Sequence, residues 1–229
     1  MQSGRPIAPA MPGYIVVGGR QVPCAVPVEQ WQSHGCTFPG AKPRTRKTRL
    51  AVLHWTGGEG GLEQVHKTLR DAGTSVQFFV DNHGHAYQLC DADMECAHAS
   101  GMNAFGPGVE VANRASDEAD RVPKRPLLKE RFAGSDAVYT SFLPDQVKAV
   151  HALVASLCEA YGIPLDVPRD STTGDVLARQ FTPAELAAYT GIVGHCHWSP
   201  KRKRDPGLAL LRSVAAIGPR GAIGLGRPV

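Results

Sequence analysis

The chain has 229 residues, enough for one sizeable domain with a buried core and some extensions. Its 42% hydrophobic and 20% charged content is that of an ordinary globular protein, and no apolar run approaches the length of a bilayer span. A net charge of +4 without interleaved aromatic and basic residues argues against a dedicated nucleic-acid binder.

The opening MQSGRPIAPAMPG has no apolar h-region, so no secretory signal peptide is expected. Residues 1–47 are rich in Gly and Pro, with one strand-like piece at Tyr14-Ile15-Val16-Val17. They read as an extension that packs on, or leads into, the main domain. The basic run at 42–47 reads as a solvated linker. The core signal starts at Leu50-Ala51-Val52-Leu53-His54, a short apolar run of the kind found in buried strands, and Thr56-Gly57-Gly58 breaks it. Leu62, Val65 and Leu69 recur at helical spacing, with Gly73 as the stop. Residues 76–80 read as a strand, Asp81-Asn82-His83-Gly84 as a turn, and 86–89 as the returning strand of a hairpin. Residues 108–112 are another short strand, and 114–131, charged and Pro-containing, read as a surface insertion.

Pro144 opens a helix with Val147, Val150, Val154, Leu157, Cys158 and Tyr161 on one face, and Gly162 stops it. Residues 165–181 look like a second loop, Thr182-Pro183-Ala184-Glu185 like a helix start, and 191–194 like a strand leading to His195. Strands and helices mixed in this order imply an α/β domain, a sheet covered by helices. The six cysteines include no C-x-x-C pair and read as buried free thiols. Cys24–Cys36 and Cys90–Cys96 are close enough in sequence to pair in an oxidising space.

Three segments carry candidate chemistry. His54 ends a buried strand, where a lone histidine is more often structural than a ligand. Gly194-His195-Cys196-His197-Trp198-Ser199-Pro200 places two histidines around one cysteine. Lys203-Arg204-Asp205-Pro206-Gly207 is by itself a basic turn. On the strand at 108–112, Val109 and Val111 share one face, so Glu110 points to the other. Lys203 lies two residues before Asp205, so an extended stretch would point both the same way.

Taken together, His54 in a strand-end H-x-T, the run GHCHWSPKRKRDPG, and the intervening FFVDNHGHAYQL and AHAS resemble one family. It is the N-acetylmuramoyl-L-alanine amidase type 2 family, which includes phage lysozyme-like amidases and the peptidoglycan recognition proteins. The resemblance covers roughly residues 49–212. It implies a central mixed β-sheet flanked by helices. It also implies that His54, His195 and Asp205 ligate Zn2+, leaving a fourth tetrahedral position for water. By the same resemblance Glu110 is the general base and Lys203 the cation that stabilises the tetrahedral intermediate. Cys196 is a rival ligand on chemical grounds but does not sit where the motif puts one. His98, Phe78 and Trp55 are carried over as residues of the substrate cleft. Phe78 stands where some members place a catalytic tyrosine, and His98 sits in an AHAS that lacks the family's tryptophan. His197 is a candidate partner of a ligand, and the remaining histidines read as structural or surface.

The expected function is peptidoglycan hydrolysis at the bond between N-acetylmuramic acid and L-alanine of the stem peptide. The alternative is a module of the same fold that recognises peptidoglycan without cutting it. The expected organisation is an extension over 1–47, a catalytic domain over 48–212 and a tail over 213–229. The long stretches 113–142 and 165–190 are expected to set stem-peptide preference. The expected partner is peptidoglycan or a muropeptide, with no nucleic acid and no membrane insertion. Without a signal, the chain is expected to be made in the cytoplasm and to reach the wall by release or delivery. A holin, a virion or a secretion machine would then act through the N-terminal extension.

Overall fold

The computed structural model describes residues 13–114, 125–199 and 203–217. The chain enters through a hairpin of β1 (Gly13–Val17) and β2 (Arg20–Cys24), then β3 (Val28–Gln30), the single turn α1 (Trp31–His34) and β4 (Lys42–Pro43). The apolar run at 50–54 becomes β5 (Leu50–Gly57), followed by α2 (Leu62–Asp71). The hairpin expected at 76–89 forms as β6 (Phe78–Val80) and β7 (Ala86–Gln88), followed by β8 (Met94–Glu95) and β9 (Gly108–Arg114). After a third hairpin, β10 (Leu127–Phe132) and β11 (Ser135–Thr140), come α3 (Pro144–Tyr161), α4 (Pro183–Ala188), β12 (Gly191–Gly194) and α5 (Leu208–Ala216).

Six strands form the main sheet in the order β12-β5-β9-β6-β7-β3. The first four run parallel, and β7 and β3 run the other way, so the sheet is mixed. Helices on both faces explain why β5 opens as an uninterrupted apolar run: Leu50, Ala51, Val52 and Leu53 are all fully buried. On one face Ala51, Leu53, Phe78, Val109, Val111 and Ile192 meet Val150, Leu153, Leu157 of α3 and Leu210, Leu211 of α5. On the other, Phe79 and Ala112 meet Val65 of α2, while Leu50, Val52 and Val193 pack with Met102, Leu177 and Phe181.

Local signals set the helix ends. Proline stands in the first turn of α3, and its last turn closes on Gly162 at φ 63°, a conformation that glycine adopts without strain. In α4 the Thr182 hydroxyl accepts from the Glu185 amide while the Glu185 carboxylate accepts from the Thr182 amide, a reciprocal cap.

Several stretches differ from expectation. Residues 13–30 contribute Ile15, Val17, Cys24 and Val28 to the main core and β3 to the sheet edge. Part of the expected surface insertion, 115–124, lies outside the described residues. Of the rest, Arg114 ends β9 and 127–131 belong to β10, whose hairpin with β11 buries Phe132, Ala137 and Tyr139. Within the basic run at 42–47, Arg44 is not a solvated side chain. Its guanidinium donates to the carbonyls of Asn103, Ala92 and Met94 and ties β4 to the stretch before β9. All six cysteines are free. Cys24 and Cys36 belong to different core clusters, whereas the Cys90 and Cys96 sulfurs lie 3.2 Å apart. Among the described residues no helix is long and apolar enough to cross a membrane.

Candidate metal centre and active-site cleft

Three adjacent parallel strands deliver the site. Ligand crevices of open α/β sheets form beyond the carboxyl ends of such strands. His54 lies near the end of β5 and Glu110 is its register partner on β9. His195 follows the last residue of β12, itself paired with β5. Asp205 arrives from the loop before α5, where the Cys196 amide donates to the Asp205 carbonyl at 2.8 Å. Residues from positions 54, 110, 195 and 205 therefore meet because β5 runs between β12 and β9.

The Nδ1 atoms of His54 and His195 each lie 3.2 Å from Oδ2 of Asp205, and the two rings stand 4.8 Å apart. One ligand atom from each residue falls within 4.8 Å of the others, and all three side chains are buried. Burial pushes the His54 imidazole toward the neutral form, and the Asp205 carboxylate beside its Nδ1 opposes that shift. Burial works against the Asp205 carboxylate, but the contacts with His195 and His54 outweigh it and hold the carboxyl below the usual range. Two imidazoles and one carboxylate converging on a point are the donor set of a catalytic zinc site. The residues present fit such an ion.

Glu110 is 9% exposed, and its Oε2 has no hydrogen-bond partner. Burial, reinforced by the Asp205 charge and opposed by Lys203, pushes its carboxyl up to about 8. It borders a recess lined by Thr56, Gly57, Gly60, Gln64 and Thr68. Exposed Lys203 lines the neighbouring opening with Trp55, Thr56, Gly57, Arg204 and Asp205. Half-buried Trp55 is held there against Tyr139 of β11, ring centres 4.7 Å apart.

The other residues singled out in the sequence divide. Phe78, expected in the cleft, is wholly buried on the opposite face of the sheet, because its register partner is Val109 and not Glu110. Cys196 is fully buried in the core and does not belong to the set of side chains whose donor atoms converge. His197 is committed elsewhere: Nδ1 accepts from the Gly194 amide and Nε2 donates to the Leu177 carbonyl. His98 lies behind His54, its Nδ1 3.0 Å from His54 Nε2. Sequence reasoning missed Gly106 and Gly108, which shape the space around His98. Two glycines flanking a proline ahead of a strand were the only signal.

Fold and donor set together define an α/β protein whose strand ends carry a candidate metal centre. A family model described as N-acetylmuramoyl-L-alanine amidase matches residues 44–208, and the chain belongs to that family. Among solved structures it is similar to Drosophila peptidoglycan recognition protein SA, at 17% identity and TM-score 0.47 over 82% of this chain and 89% of that one. It is also similar to the N-acetylmuramoyl-L-alanine amidase LysC from Clostridium intestinale, at 13% identity and TM-score 0.49 over 83% and 96%. A third is the E. coli N-acetylmuramyl-L-alanine amidase AmiD, solved with an anhydro-N-acetylmuramic acid peptide, at 18% identity and TM-score 0.48 over 88% and 65%. No curated protein matches the chain.

Proposed function

We propose that this protein hydrolyses the amide bond joining the lactyl group of N-acetylmuramic acid to L-alanine in peptidoglycan. The observation that carries the reading is Glu110, a buried carboxylate without a partner, beside a two-histidine, one-aspartate cluster in a chain of this family.

His54 and His195 would hold zinc through Nδ1 and Asp205 through a carboxylate oxygen. Zinc held there would supply acidity enough to yield hydroxide near neutral pH, and positive charge to polarise a carbonyl. Glu110 takes the proton of the attacking water and later gives it to the departing amine of L-alanine. A carboxyl held near the working pH suits both halves of that exchange, and burial is what moves it there. The Lys203 ammonium, beside Asp205 at the opening, balances the negative charge that develops on the scissile carbonyl oxygen. Bond cleavage leaves a free lactyl carboxylate and a free L-alanine amino terminus. The cleft between the Trp55 and Lys203 side and the Thr56–Gly60 side is where the glycan and the stem peptide enter.

The test is zinc content and release of amino-terminal L-alanine from purified peptidoglycan, with wild type beside Glu110→Ala, His195→Ala and Lys203→Ala. One zinc per chain in the wild type is expected. His195→Ala should lose both metal and activity. Glu110→Ala should keep the metal and lose about 10²- to 10⁴-fold in rate, and Lys203→Ala should behave likewise. Zinc bound without cleavage of any wall or muropeptide replaces hydrolysis by recognition. No zinc at all removes the metal assignment.

A further inference from the structure

His98 is half-buried, outside the three-residue cluster, and each of its polar contacts is specified by the fold. Its Nε2 lies 3.2 Å from the carbonyl oxygen of Gly106, and its Nδ1 lies 3.0 Å from Nε2 of His54. The two rings meet edge to face, centres 5.1 Å apart at 87°. The Asn103 carboxamide oxygen accepts from the amides of both His98 and Ala99, at 3.1 and 2.6 Å, and fixes the backbone that carries the ring. Gly108 leaves room for it: a β-carbon there would stand 2.8 Å from Cγ and 2.9 Å from Nδ1 of His98. Gly106 approaches β5 so closely that a β-carbon would fall 1.7 Å from the Leu50 carbonyl oxygen. That approach aims its own carbonyl at the ring.

The protons of this chain of groups are set by its far end. A peptide carbonyl only accepts, so the proton on His98 sits at Nε2. Nδ1 of the neutral ring is then an acceptor, and His54 Nε2 must donate to it. His54 is left with its lone pair on Nδ1, the atom 3.2 Å from Asp205 Oδ2. Two acceptors facing each other at that distance, with His195 Nδ1 equally close to the same oxygen, are reconciled by a cation between them. The other tautomer, with the proton on Nδ1 donated to Asp205, would close the site to metal.

We infer that His98 is a positioning residue: the relay from Gly106 through His98 holds His54 in the tautomer and ring orientation that present Nδ1 to the metal. The inference rests on the metal centre proposed above. His98 therefore acts through His54 and is not itself a ligand. Partners of this kind govern how tightly a site holds its ion, typically by 10- to 100-fold.

The test compares zinc dissociation constants of the full chain by chelator competition in wild type, His98→Phe and His98→Asn. Phenylalanine keeps a ring and removes the acceptor; asparagine keeps an oxygen near the position of Nδ1. His98→Phe should weaken zinc binding about 10- to 100-fold, and His98→Asn should recover most of the loss. Nitrogen-15 shifts of the histidine-labelled, zinc-loaded wild type need no variant. They should show His54 Nε2 protonated and His98 Nδ1 bare. Zinc bound equally tightly by His98→Phe, or a proton found on His98 Nδ1, overturns the positioning role while leaving the metal centre in place. A change only in the melting temperature of the metal-free protein, at constant zinc affinity, reduces His98 to packing. A wild type that binds no zinc overturns the metal centre itself, and the relay with it.

Discussion

Glu110→Gln removes a charge from a site where the fold gives that charge no partner, and its effect on stability can be worked out in advance. The folded carboxyl is pushed from 4.5 up to about 8, first by burial. Between those two values the folded chain binds more protons than the unfolded one, so this group's contribution to stability falls as pH rises through that window. Converted at about 1.4 kcal/mol per tenfold change in proton affinity, the full displacement is worth up to about 5 kcal/mol against the folded state at high pH. Water entering the recess would relax part of it. Glutamine keeps the shape without the charge, so the metal-free variant should be more stable than wild type by about 2–5 kcal/mol above pH 8. Below 4.5, where the carboxyl is protonated folded and unfolded, the two should differ little. The assay is urea unfolding of chelator-treated protein across pH, read as the difference between variant and wild type. That difference removes the histidine titrations common to both. Zinc should shrink the gain, since a nearby cation favours the carboxylate. A difference that stays flat with pH, or a variant that is the less stable one above pH 8, would refute the reasoning.

Two further outcomes follow from local geometry. Gly108→Ala sets a methyl against the His98 ring and 2.9 Å from Cγ2 of Val76. It should cost about 1–3 kcal/mol in unfolding free energy by overpacking and weaken zinc binding in parallel with His98→Phe; unaltered zinc affinity would count against it. The Cys90 and Cys96 sulfurs, 3.2 Å apart, need to close to about 2.0 Å to bond. Each would lose one hydrogen to an added disulfide reagent such as oxidised glutathione, reducing that reagent to two thiols. Thiol titration and peptide mapping should then find that pair joined and the other four cysteines free, and a different pairing would refute it.

Much of the local structure is written in apolar spacing. The face of α3, the buried run of β5 and the cap of α4 each depend on residues within one or two turns of one another, so periodicity and capping rules reach them. β10 and β11 escaped because Lys129, Glu130, Arg131 and Asp136 mask the alternation that buries Phe132, Ala137 and Tyr139. Arg44 was misread for a related reason: a basic run on paper carries no sign that one of its side chains will meet three carbonyls up to 59 positions away.

The candidate site divides along the same line. The sequence by itself determined the donor types and, through two-residue alternation, that Glu110 faces away from Val109 and Val111. It could not say which strands are neighbours, because parallel strands joined by crossovers leave no local trace of their order. The tertiary structure decided that β5 lies between β12 and β9, which brings His54, Glu110, His195 and Asp205 together and turns Phe78 to the opposite face. It also decided that Cys196 serves the core and that His98 meets His54 across 44 positions. Those choices depend on what each side chain finds across the sheet, and that is settled only when the strands assemble.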